Sequence, residues 1–486
     1  MKFYHFKIDN IAPIDVIRAF HDDSYSLFFD SAREDHPDNC YSYVLFHPVE
    51  TLDYHNNVCN VTTREEKIAY ENECPFNILK DRLDIHHKEY FAPKSLAPFH
   101  GGAAGLFGYD LARVLEQFNR HGKTPRKTPD MAIGIYNQLF AYDHKKQQGW
   151  FYIHADNKSI ATRKFYFFEN AVQHSDHKTL NTPSETIERN DWILSHSKDE
   201  YIADTKAIID YIFAGDIFQA NLSQRFSAKL PEHFSPFDHY KCLREANAAP
   251  FAAYMNFGTF RISSSSPERF IQIDSNNQVE TKPIKGTIKR AKNQLEDKDL
   301  KTTLLQSVKD NAENAMIVDL MRNDLSKACI DSSIDVPKLC EIESFAEVHH
   351  LVSTITGQIR PDKHAVDLLK SCFPGGSVTG APKVRAMEII NEFEKDQRGP
   401  YCGSLGLIGY NGMMDTNIAI RTLVYEDGHV HFNVGGGIVA DSDPAKEHQE
   451  TLDKASAIFN SFEIYNNMVK DKRTDHKSSI RKVASQ

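Results

Sequence analysis

The stretch NIAIRTLVYEDGHVHFNVGGGIVADSDP, residues 417–444, contains the pattern that decides the fold. Two segments rich in β-branched and aromatic residues flank Asp427-Gly428, a dipeptide typical of the tight turn of a β-hairpin. Further on, Asp443 is a suitable N-cap and Pro444 a suitable first-turn residue for a helix. Long antiparallel strands mixed with helices predict an α+β fold.

The rest of the chain has the same mixture of predicted elements. The segments 139–156 (LFAYDHKKQQGWFYIHAD) and 164–172 (KFYFFENAV) are rich in aromatic residues and predict strands. The segment 198–216 has apolar residues at helical spacing and predicts a helix. Two long helices are predicted from about Asp299 to Lys327 and from about Pro444 to Phe462.

Composition narrows the class of protein. The chain has 486 residues, 41% of them hydrophobic, which is enough for one large domain or two interlocked ones. A formal net charge of −10 argues against nucleic acid or an anionic membrane as the main partner. No run of ~18 consecutive apolar residues occurs, so we expect no membrane span. The eight scattered cysteines, without a CxxC pair, are typical of a reduced cytoplasmic protein.

Two of the predicted helices each present a pair of carboxylates three residues apart. Asp310 and Glu313 share one helix face, and Glu447 and Glu450 share another with Lys454 in the same stripe. A hard cation such as Mg²⁺ takes one or two carboxylates, keeps waters and leaves room for an anionic substrate. Ordinary salt-bridged helix faces have the same spacing, so the pattern alone leaves both interpretations open.

Two glycine-rich stretches are candidates for anion binding. Gly435, Gly436 and Gly437 leave their backbone N–H groups unshielded, which suits a carboxylate or phosphate, although a tight turn or a bulge is equally consistent with them. PGGSVTGAPK, residues 374–383, superficially looks like a phosphate-binding loop. It lacks the Gly-Lys-Ser/Thr that nucleotide binding requires, so nucleotide hydrolysis is not expected.

Four polar residues stand in contexts that invite a function. His350, Tyr401 and Arg421 interrupt apolar strand-like segments, where a satisfied interior residue or an exposed strand face is the ordinary interpretation of each. Arg421 is the most suggestive, because an interior arginine needs an anion and its planar guanidinium matches a carboxylate. Lys285 lies at the centre of a turn-like Pro-Ile-Lys-Gly-Thr among other cations, where a solvated lysine is the ordinary interpretation.

Taken in order, these stretches resemble the chorismate-utilising enzymes, the family of the anthranilate synthase and aminodeoxychorismate synthase large subunits. The resemblance extends from about Asp199 to Phe462, and more loosely into the N-terminal part. It implies a large α+β sandwich of two mostly antiparallel sheets flanked by helices. The matching blocks are GDIFQANLSQRF, SSSPERF, KPIKGTIKR, AENAMIVDLMRNDL, HHLVSTITG, FPGGSVTGAPKVRAMEII, GPYCGSLG, NIAIRTL and GGGIVADSDPAKEHQETLDKA.

The resemblance also implies a metal site. Glu313 and Glu450 would ligate Mg²⁺, and Asp310 and Glu447 would hold its waters. The ion would bind the ring carboxylate of chorismate and act as Lewis acid and template.

Chorismate itself would be held by the remaining candidates. The amides of Gly435, Gly436 and Gly437 together with Thr287 would contact the ring carboxylate as well. Tyr401 and Arg421 would bind the enolpyruvyl carboxylate, the second carboxylate of this substrate. Lys454 would add positive charge near the substrate.

Two positions separate the branches of this family. The branch that adds water has a lysine base where this chain has Gln219, so isochorismate and salicylate synthases are not expected. Anthranilate synthases usually have alanine at position 285, whereas Pro-Ile-Lys-Gly-Thr resembles the aminodeoxychorismate synthase pattern. The resemblance therefore implies amination of chorismate to 4-amino-4-deoxychorismate, with anthranilate synthesis and pyruvate elimination as the alternative.

In that branch Lys285 would attack ring carbon 2 as the 4-hydroxyl leaves, and ammonia would then attack carbon 4 and expel the lysine. The lysine must be neutral to act as a nucleophile. Glu268 would protonate the departing hydroxyl, unless a salt bridge to Arg269 or Arg290 occupies it. His350 is a second candidate for proton transfer.

The resemblance also bears on the source of ammonia, on a second ligand and on the division of the chain into regions. The chain has no glutaminase signature, so a separate glutamine amidotransferase subunit would supply ammonia, and the product would lead to 4-aminobenzoate and folate. Some relatives bind tryptophan in the N-terminal half, and Ser31 lies where such a pocket would be. We expect an N-terminal region, 1–190, interlocked with a chorismate-binding catalytic region, 191–465, and a basic, flexible tail, 466–486.

Overall fold

The computed structural model describes residues 1–33, 36–38, 40–86, 90–116, 126–175, 185–344 and 348–484, with side chains up to residue 471. Its helices are α1 (Pro13–Phe20), α2 (Pro75–His86), α3 (Ala112–Leu115), α4 (Lys158–Gln173), α5 (Lys198–Phe213), α6 (Pro236–Ala246), α7 (Gln294–Leu305), α8 (Val308–Ser326), α9 (Ala365–Cys372), α10 (Lys383–Phe393) and α11 (Pro444–Ala484). Its strands are β1 (Lys2–Ile8), β2 (Ser26–Asp30), β3 (Tyr41–Leu45), β4 (Glu50–His55), β5 (Val58–Thr63), β6 (Lys67–Glu71), β7 (Gly102–Phe107), β8 (Met131–Tyr136), β9 (Gln138–Asp143), β10 (Gln148–Ala155), β11 (Ile193–Leu194), β12 (Gln219–Lys229), β13 (Phe251–Asn256), β14 (Phe260–Ser266), β15 (Arg269–Ile273), β16 (Gln278–Thr281), β17 (Ile284–Lys289), β18 (Asp335–Ser344), β19 (Val348–Gln358), β20 (Gly380–Ala381), β21 (Ser404–Gly409), β22 (Met414–Asn417), β23 (Thr422–Glu426) and β24 (His429–Ile438).

These strands form two 12-stranded sheets. The first has the order β1-β10-β9-β3-β2-β13-β14-β23-β24-β12-β11, with β20 on β12, and the second has the order β17-β19-β16-β15-β22-β21-β7-β8-β4-β5-β6, with β18 on β19. Within each sheet, neighbouring strands pair in antiparallel orientation. Leu27 and Met255 of the first sheet share a buried cluster with Leu106 and Leu407 of the second. The predicted α+β sandwich is therefore confirmed.

The predicted hairpin is confirmed as β23 and β24. Leu423 pairs with Phe432 and Glu426 with His429, and both turn residues have positive φ, as a type I′ turn requires. Beyond Phe432, β24 continues without β23 and pairs only with β12 on its other side. The strand therefore has one edge that β23 does not cover.

One segment predicted as a strand is a helix. Residues 164–172 belong to α4, which begins after Asn157, whose side chain accepts the N–H of Ile160 at 3.0 Å. Phe168 of this helix is fully buried and stacks near Phe46. Because Phe165, Phe168 and Val172 recur every three or four residues, spacing was the better guide and the aromatic-rich composition was misleading.

The single helix predicted from Asp299 to Lys327 is two helices, α7 and α8. Ser307 separates them, because its hydroxyl accepts the N–H of Asp310 at 3.3 Å and caps α8. Ile317 and Met321 are buried on one face of α8. The cap fixes where the first turn of α8 begins and hence where Asp310 points.

Helix α11 begins at the predicted place and extends beyond the predicted end at Phe462. Asp443 accepts the N–H groups of Ala445 and Lys446 at 2.9 and 3.1 Å. The helix continues because Tyr465 and Val469 are buried with Cys242 of α6. Residues 485–486 of the predicted tail lie outside the described residues. In the described part of the chain, no helix is long and apolar enough to cross a membrane.

Candidate active site

A cavity of about 540 Å³ lies between the uncovered edge of β24, the strand β17 and the first turns of α8 and α11. It brings together nearly all the residues that the sequence singled out. Its lining includes Glu268, Lys285, Thr287, Asp310, Glu313, His350, Tyr401, Arg421, Gly435, Gly437, Glu447, Glu450 and Lys454. Gly436 does not line it, but a Cβ at that position would lie 3.3 Å from Glu447 Oε2.

Lys285 is placed by a bulge rather than by a turn. The pairing of β17 with β19 shifts register between Ile284 and Thr287, and Gly286 within this shift has a φ of +83°. An extra residue in one strand re-aims the side chains around it. Lys285 Nζ consequently donates to Glu313 Oε1 at 2.7 Å, and the two side chains are only 12% and 11% exposed.

Glu268 is a buried carboxyl at the cavity wall. Burial raises its pKa to about 7, against the partial opposition of a hydrogen bond from Ser377 and the charge of Lys285. Ser377 Oγ donates to Glu268 Oε1 at 2.8 Å. A carboxyl that titrates near neutral pH can exist as acid and as base during one reaction cycle.

The salt bridges considered for Glu268 are not formed. Arg269 Nε lies 3.1 Å from Asp415 Oδ1, and Arg290 Nη2 lies 2.7 Å from Asp297 Oδ2. Both guanidinium groups are therefore engaged by other carboxylates, and Glu268 remains directed at the cavity.

His350 faces Thr287 across the β17–β19 pair. Its Nδ1 lies 2.8 Å from Thr287 Oγ1, so the ring and the hydroxyl share a hydrogen bond. Burial, and then the charge of Arg421, lowers the pKa of His350 to about 4. A ring that is neutral at pH 7 is suited to orienting Thr287 rather than to donating a proton.

The three glycines form neither a loop nor a turn. They belong to β24, where Gly435, Gly436 and Gly437 pair with Ser223, Leu222 and Asn221 of β12 in regular register. Successive N–H groups of an antiparallel strand point to opposite edges, so alternate amides of this segment face away from β12. A Cβ on Gly437 would lie 2.8 Å from Glu313 Oε1, which explains why a side chain is absent there.

Three of the four carboxylates of α8 and α11 lie close to this glycine segment: a Cβ on Gly436 would be 3.3 Å from Glu447 and 3.8 Å from Glu450, and one on Gly437 would be 2.8 Å from Glu313. Asp310 lies against Gly286 instead. Burial raises the pKa of Glu447, and the neighbouring Glu450 raises it further, while Ser442 Oγ donates to Glu447 at 2.7 Å. No three His, Cys, Asp or Glu side chains of the described residues already lie close enough to hold an ion. Mg²⁺ needs only one or two carboxylates beside water and substrate, so the hard oxygen donors present fit it.

Arg421 is a half-buried cation at the cavity. It has a φ of +51°, and its Nη1 donates to Asn247 Oδ1 at 3.4 Å. Burial lowers the pKa of Arg421, and in the described part of the chain no carboxylate forms a salt bridge with it. Tyr401 lines the same cavity and is buried beside the Arg398 guanidinium. This corner of the cavity suits a carboxylate of a ligand.

Several functional positions were not predicted from the sequence. Ser377, the partner of Glu268, lies in the glycine-rich stretch 374–383, in which no individual residue was given a role. Asn221 lines the cavity with its Nδ2 buried and, within the described residues, without a hydrogen-bond partner. Arg398 is fully buried, paired with Glu394 at 2.7 Å, and donates to the backbone oxygen of Val378. In the sequence, the only sign of this ion pair was the spacing of four residues between Glu394 and Arg398.

Ser31 lies in a different cavity, of about 280 Å³, which shares no lining residue with the first. Phe29, Tyr41, Phe251 and Met413 contribute apolar surface to its wall, beside charged residues such as Asp30. Ser31 Oγ donates to the backbone oxygen of Tyr41 at 2.8 Å. Residues 34–35 and 39, which follow Ser31 in the chain, lie outside the described residues.

A family model described as chorismate binding enzyme matches residues 26–460. The chain belongs to this family. It is 39% identical over 444 residues to aminodeoxychorismate synthase component 1 of Escherichia coli (strain K12), covering 90% of this chain and 93% of that protein. It is 33% identical over 468 residues to anthranilate synthase component 1 of Acetivibrio thermocellus, covering 94% and 93%.

A solved structure agrees with this membership of the chorismate binding enzymes. Anthranilate synthase component I from Streptococcus pneumoniae TIGR4 matches with a TM-score of 0.75 and 31% identity, covering 86% of this chain and 92% of that one. The resemblance noted in the sequence is thus confirmed, and the two-sheet sandwich is the fold of this family.

Proposed function

We propose that this chorismate binding enzyme is an aminodeoxychorismate synthase component 1, which aminates chorismate to 4-amino-4-deoxychorismate. The observation that carries the proposal is the position of Lys285, whose Nζ lines the same cavity as the near-neutral acid Glu268. The similarity to aminodeoxychorismate synthase component 1 over nine-tenths of the chain supports it.

The cavity can orient a dicarboxylate. Arg421 and Tyr401 would bind the enolpyruvyl carboxylate, and the amides of the glycine segment with Thr287 would hold the ring carboxylate. Glu313 and Glu450 would ligate Mg²⁺ directly, and Asp310 and Glu447 would hold its waters. Lys454 would add positive charge at the rim of the cavity. When bound, Mg²⁺ would neutralise the ring carboxylate and make the adjacent diene more electrophilic.

Lys285 and Glu268 would then carry out the first displacement. The neutral Nζ of Lys285 would form a bond to ring carbon 2 while both double bonds of the ring diene shift toward carbon 4 and the carbon 4–oxygen bond breaks. Glu268, protonated before the step, would give its proton to the departing hydroxyl and release water. His350 would stay neutral and orient Thr287.

Ammonia would complete the exchange. It would attack carbon 4, both double bonds of the ring would shift back, and the bond from Lys285 to carbon 2 would break. Glu268, now ionised, would accept the proton that the new amine loses. The enolpyruvyl group stays in place, so no pyruvate is formed.

Anthranilate synthesis is the second candidate, because anthranilate synthase component 1 proteins are also similar to this chain. It differs in a product that can be measured, since elimination of the enolpyruvyl group releases pyruvate. The lysine at position 285, where the resemblance leads us to expect alanine in that branch, favours the first candidate.

The deciding experiment uses purified protein with chorismate, Mg²⁺ and ammonium at mildly alkaline pH, with products identified by mass. We expect aminodeoxychorismate without pyruvate, and we expect Lys285→Ala to lose this activity. Lys289→Ala, on the same strand but outside the cavity lining, is the matched control and should keep it. Anthranilate with an equal amount of pyruvate would overturn the assignment.

The supply of ammonia is proposed to come from a separate glutamine amidotransferase subunit, and the product is proposed to be a precursor of 4-aminobenzoate and folate in the cytoplasm. The purified chain should then use ammonium but not glutamine as nitrogen donor. Turnover with glutamine alone, in a preparation shown by mass to contain a single chain, would contradict this.

The cavity around Ser31 is proposed to hold tryptophan. Its volume and its aromatic wall suit an indole ring beside polar backbone groups. Protein denatured after purification should release about one tryptophan molecule per chain. Release of none would exclude tryptophan as a tightly held ligand.

A further inference from the structure

Each of the three lysines at the active-site cavity lies against a different carboxylate proposed for the metal. The pair between β17 and α8 is short and shielded, with Lys285 Nζ 2.7 Å from Glu313 Oε1. The other two pairs are more exposed: Lys454 Nζ lies 2.7 Å from Glu450 Oε1, and Lys309 Nζ lies 3.6 Å from Glu447 Oε1.

We propose that Lys285 and the divalent cation compete for Glu313, so that metal binding releases the nucleophile from its ion pair. In the metal-free protein the ammonium of Lys285 takes the place of the cation at this carboxylate. When a cation ligates Glu313, the lysine loses its anionic partner and is left beside a dication. The proposal rests on the proposed function for the role of Lys285 and for the metal.

The immediate surroundings of Glu313 make the two states exclusive. Oε1 of Glu313 already accepts from both Lys285 and Gln219, and the carboxylate is largely buried. Two positive charges on one shielded carboxylate repel strongly, because the effective dielectric constant there is low. One cation must therefore leave when the other arrives.

The cavity offers Lys285 a place to go. Its Nζ borders a space of about 540 Å³, and the bulge at Gly286 leaves the lysine side chain directed toward that space. The route away from Glu313 therefore leads toward the volume proposed for the substrate. The ion pair holds the nucleophile at the edge of that volume until the metal is in place.

The three lysines should differ in strength as competitors. Lys285 is 12% exposed, whereas Lys309 and Lys454 are 48% and 43% exposed. Exposed charges are screened by water and salt, so their ion pairs contribute little. Removal of Lys285 should tighten metal binding far more than removal of Lys309.

The test measures binding of Mn²⁺ alone to the metal-free full-length chain, with free Mn²⁺ followed by electron paramagnetic resonance. Lys285→Gln should bind Mn²⁺ about tenfold more tightly than the wild type, because it removes the competing charge and keeps the hydrogen bond. Lys285→Arg should bind like the wild type, because it keeps the charge. Lys301→Gln, on the exposed face of α7, is the matched control and should change nothing.

Lys285→Met, which also removes the charge, keeps the test decisive if Lys285→Gln does not fold, and it too should tighten Mn²⁺ binding. Lys309→Gln, which acts on Glu447 at the exposed rim, should tighten Mn²⁺ binding by about twofold, in line with its screened pair. Equal or weaker Mn²⁺ binding by Lys285→Gln, or equal tightening by Lys285→Arg, would overturn the competition. Failure of the proposed function alone would appear as a different product from chorismate, while Lys285→Gln would still bind Mn²⁺ more tightly than the wild type.

Discussion

At the scale of single residues, Glu268 is an acid that burial prepares for proton transfer at a cost in stability. Its pKa is about 7 in the folded protein against an ordinary value of 4.5. Because the folded-state pKa is the higher one, folding favours the neutral acid. The resulting stabilisation is complete below pH 4.5 and is lost as the pH rises through about 7.

Glu268→Gln should therefore stabilise the protein increasingly with pH. The amide stays neutral, so its advantage over the wild type should grow from about 1 kcal/mol at pH 5 to about 3 kcal/mol at pH 8. Denaturant unfolding at the two pH values measures this difference. Glu65→Gln, on the surface, is the matched control. A constant difference between pH 5 and pH 8 would contradict the buried-acid interpretation.

Ser377 tunes the same acid by donating to its ionised form. Ser377→Ala should raise the pKa of Glu268 further, because the hydrogen bond stabilises the carboxylate. The alkaline limb of the pH–rate profile should consequently move to higher pH by up to about one unit, and Ser377→Thr should restore it. A uniform loss of rate at every pH would instead indicate a purely structural role for this hydroxyl.

The residue types at the site were largely predictable, whereas their supporting partners were not. Arg421 stands out in the sequence because it is a cation in an apolar segment, whereas Lys285 lies among other cations and is singled out by the family resemblance. Ser377 does not stand out, because its partner Glu268 is 109 positions away and the pair exists only after folding. Asn221 is equally inconspicuous, since nothing in the sequence shows that its side-chain amide is buried at a cavity.

At the scale of elements, the glycine segment of β24 is a wall built for close approach. A Cβ on Gly437 would lie 2.2 Å from Gln219 Nε2 and 2.8 Å from Glu313 Oε1. The nearest atom to a Cβ on Gly436 is 3.3 Å away. The two positions therefore differ in what a methyl group would displace.

Gly437→Ala should displace Glu313 and Gln219 and lower ammonium-dependent kcat/KM by at least about tenfold, with about 1–2 kcal/mol of lost stability. Gly436→Ala should have a smaller effect on both quantities. Steady-state kinetics together with thermal unfolding separate the two. Wild-type kinetics for Gly437→Ala would show that the position of Glu313 is not important.

Element types followed from spacing more reliably than from composition. The hairpin around Asp427 and Gly428 was predictable, because its turn dipeptide and flanking residues agree. Helix α4 was predicted as a strand, because a segment with Phe165, Tyr166, Phe167 and Phe168 satisfies β propensity as well as helical spacing. The Gly286 bulge could not be predicted, because it depends on pairing with β19.

At the scale of the whole molecule, both sheets combine strands from the two halves of the chain. In the first sheet β2 pairs with β13, and in the second β7 pairs with β21. Sequence patterns identify strands but do not show which distant strands pair, so this interleaving was inferred only from the family resemblance. It means that every cut near residue 190 leaves open sheet edges in both pieces.

The fragments 1–190 and 191–486 should therefore not fold separately. Each alone should show no cooperative thermal unfolding by circular dichroism, whereas co-expression should give one soluble complex with a single transition. Cooperative unfolding of the 191–486 fragment alone would show instead that the catalytic region is an independent domain.

The start of helix α11 has a consequence for how the length of this protein can change in evolution. Its cap at Asp443 sets a rotational phase, and each inserted residue turns everything after it by about 100°. One extra residue between Glu447 and Glu450 would swing Glu450 and Lys454 away from the glycine segment while leaving Glu447 in place. Insertions and deletions between Asp443 and Glu450 should therefore be selected against, whereas substitutions on the outer face of this part of the helix should be tolerated.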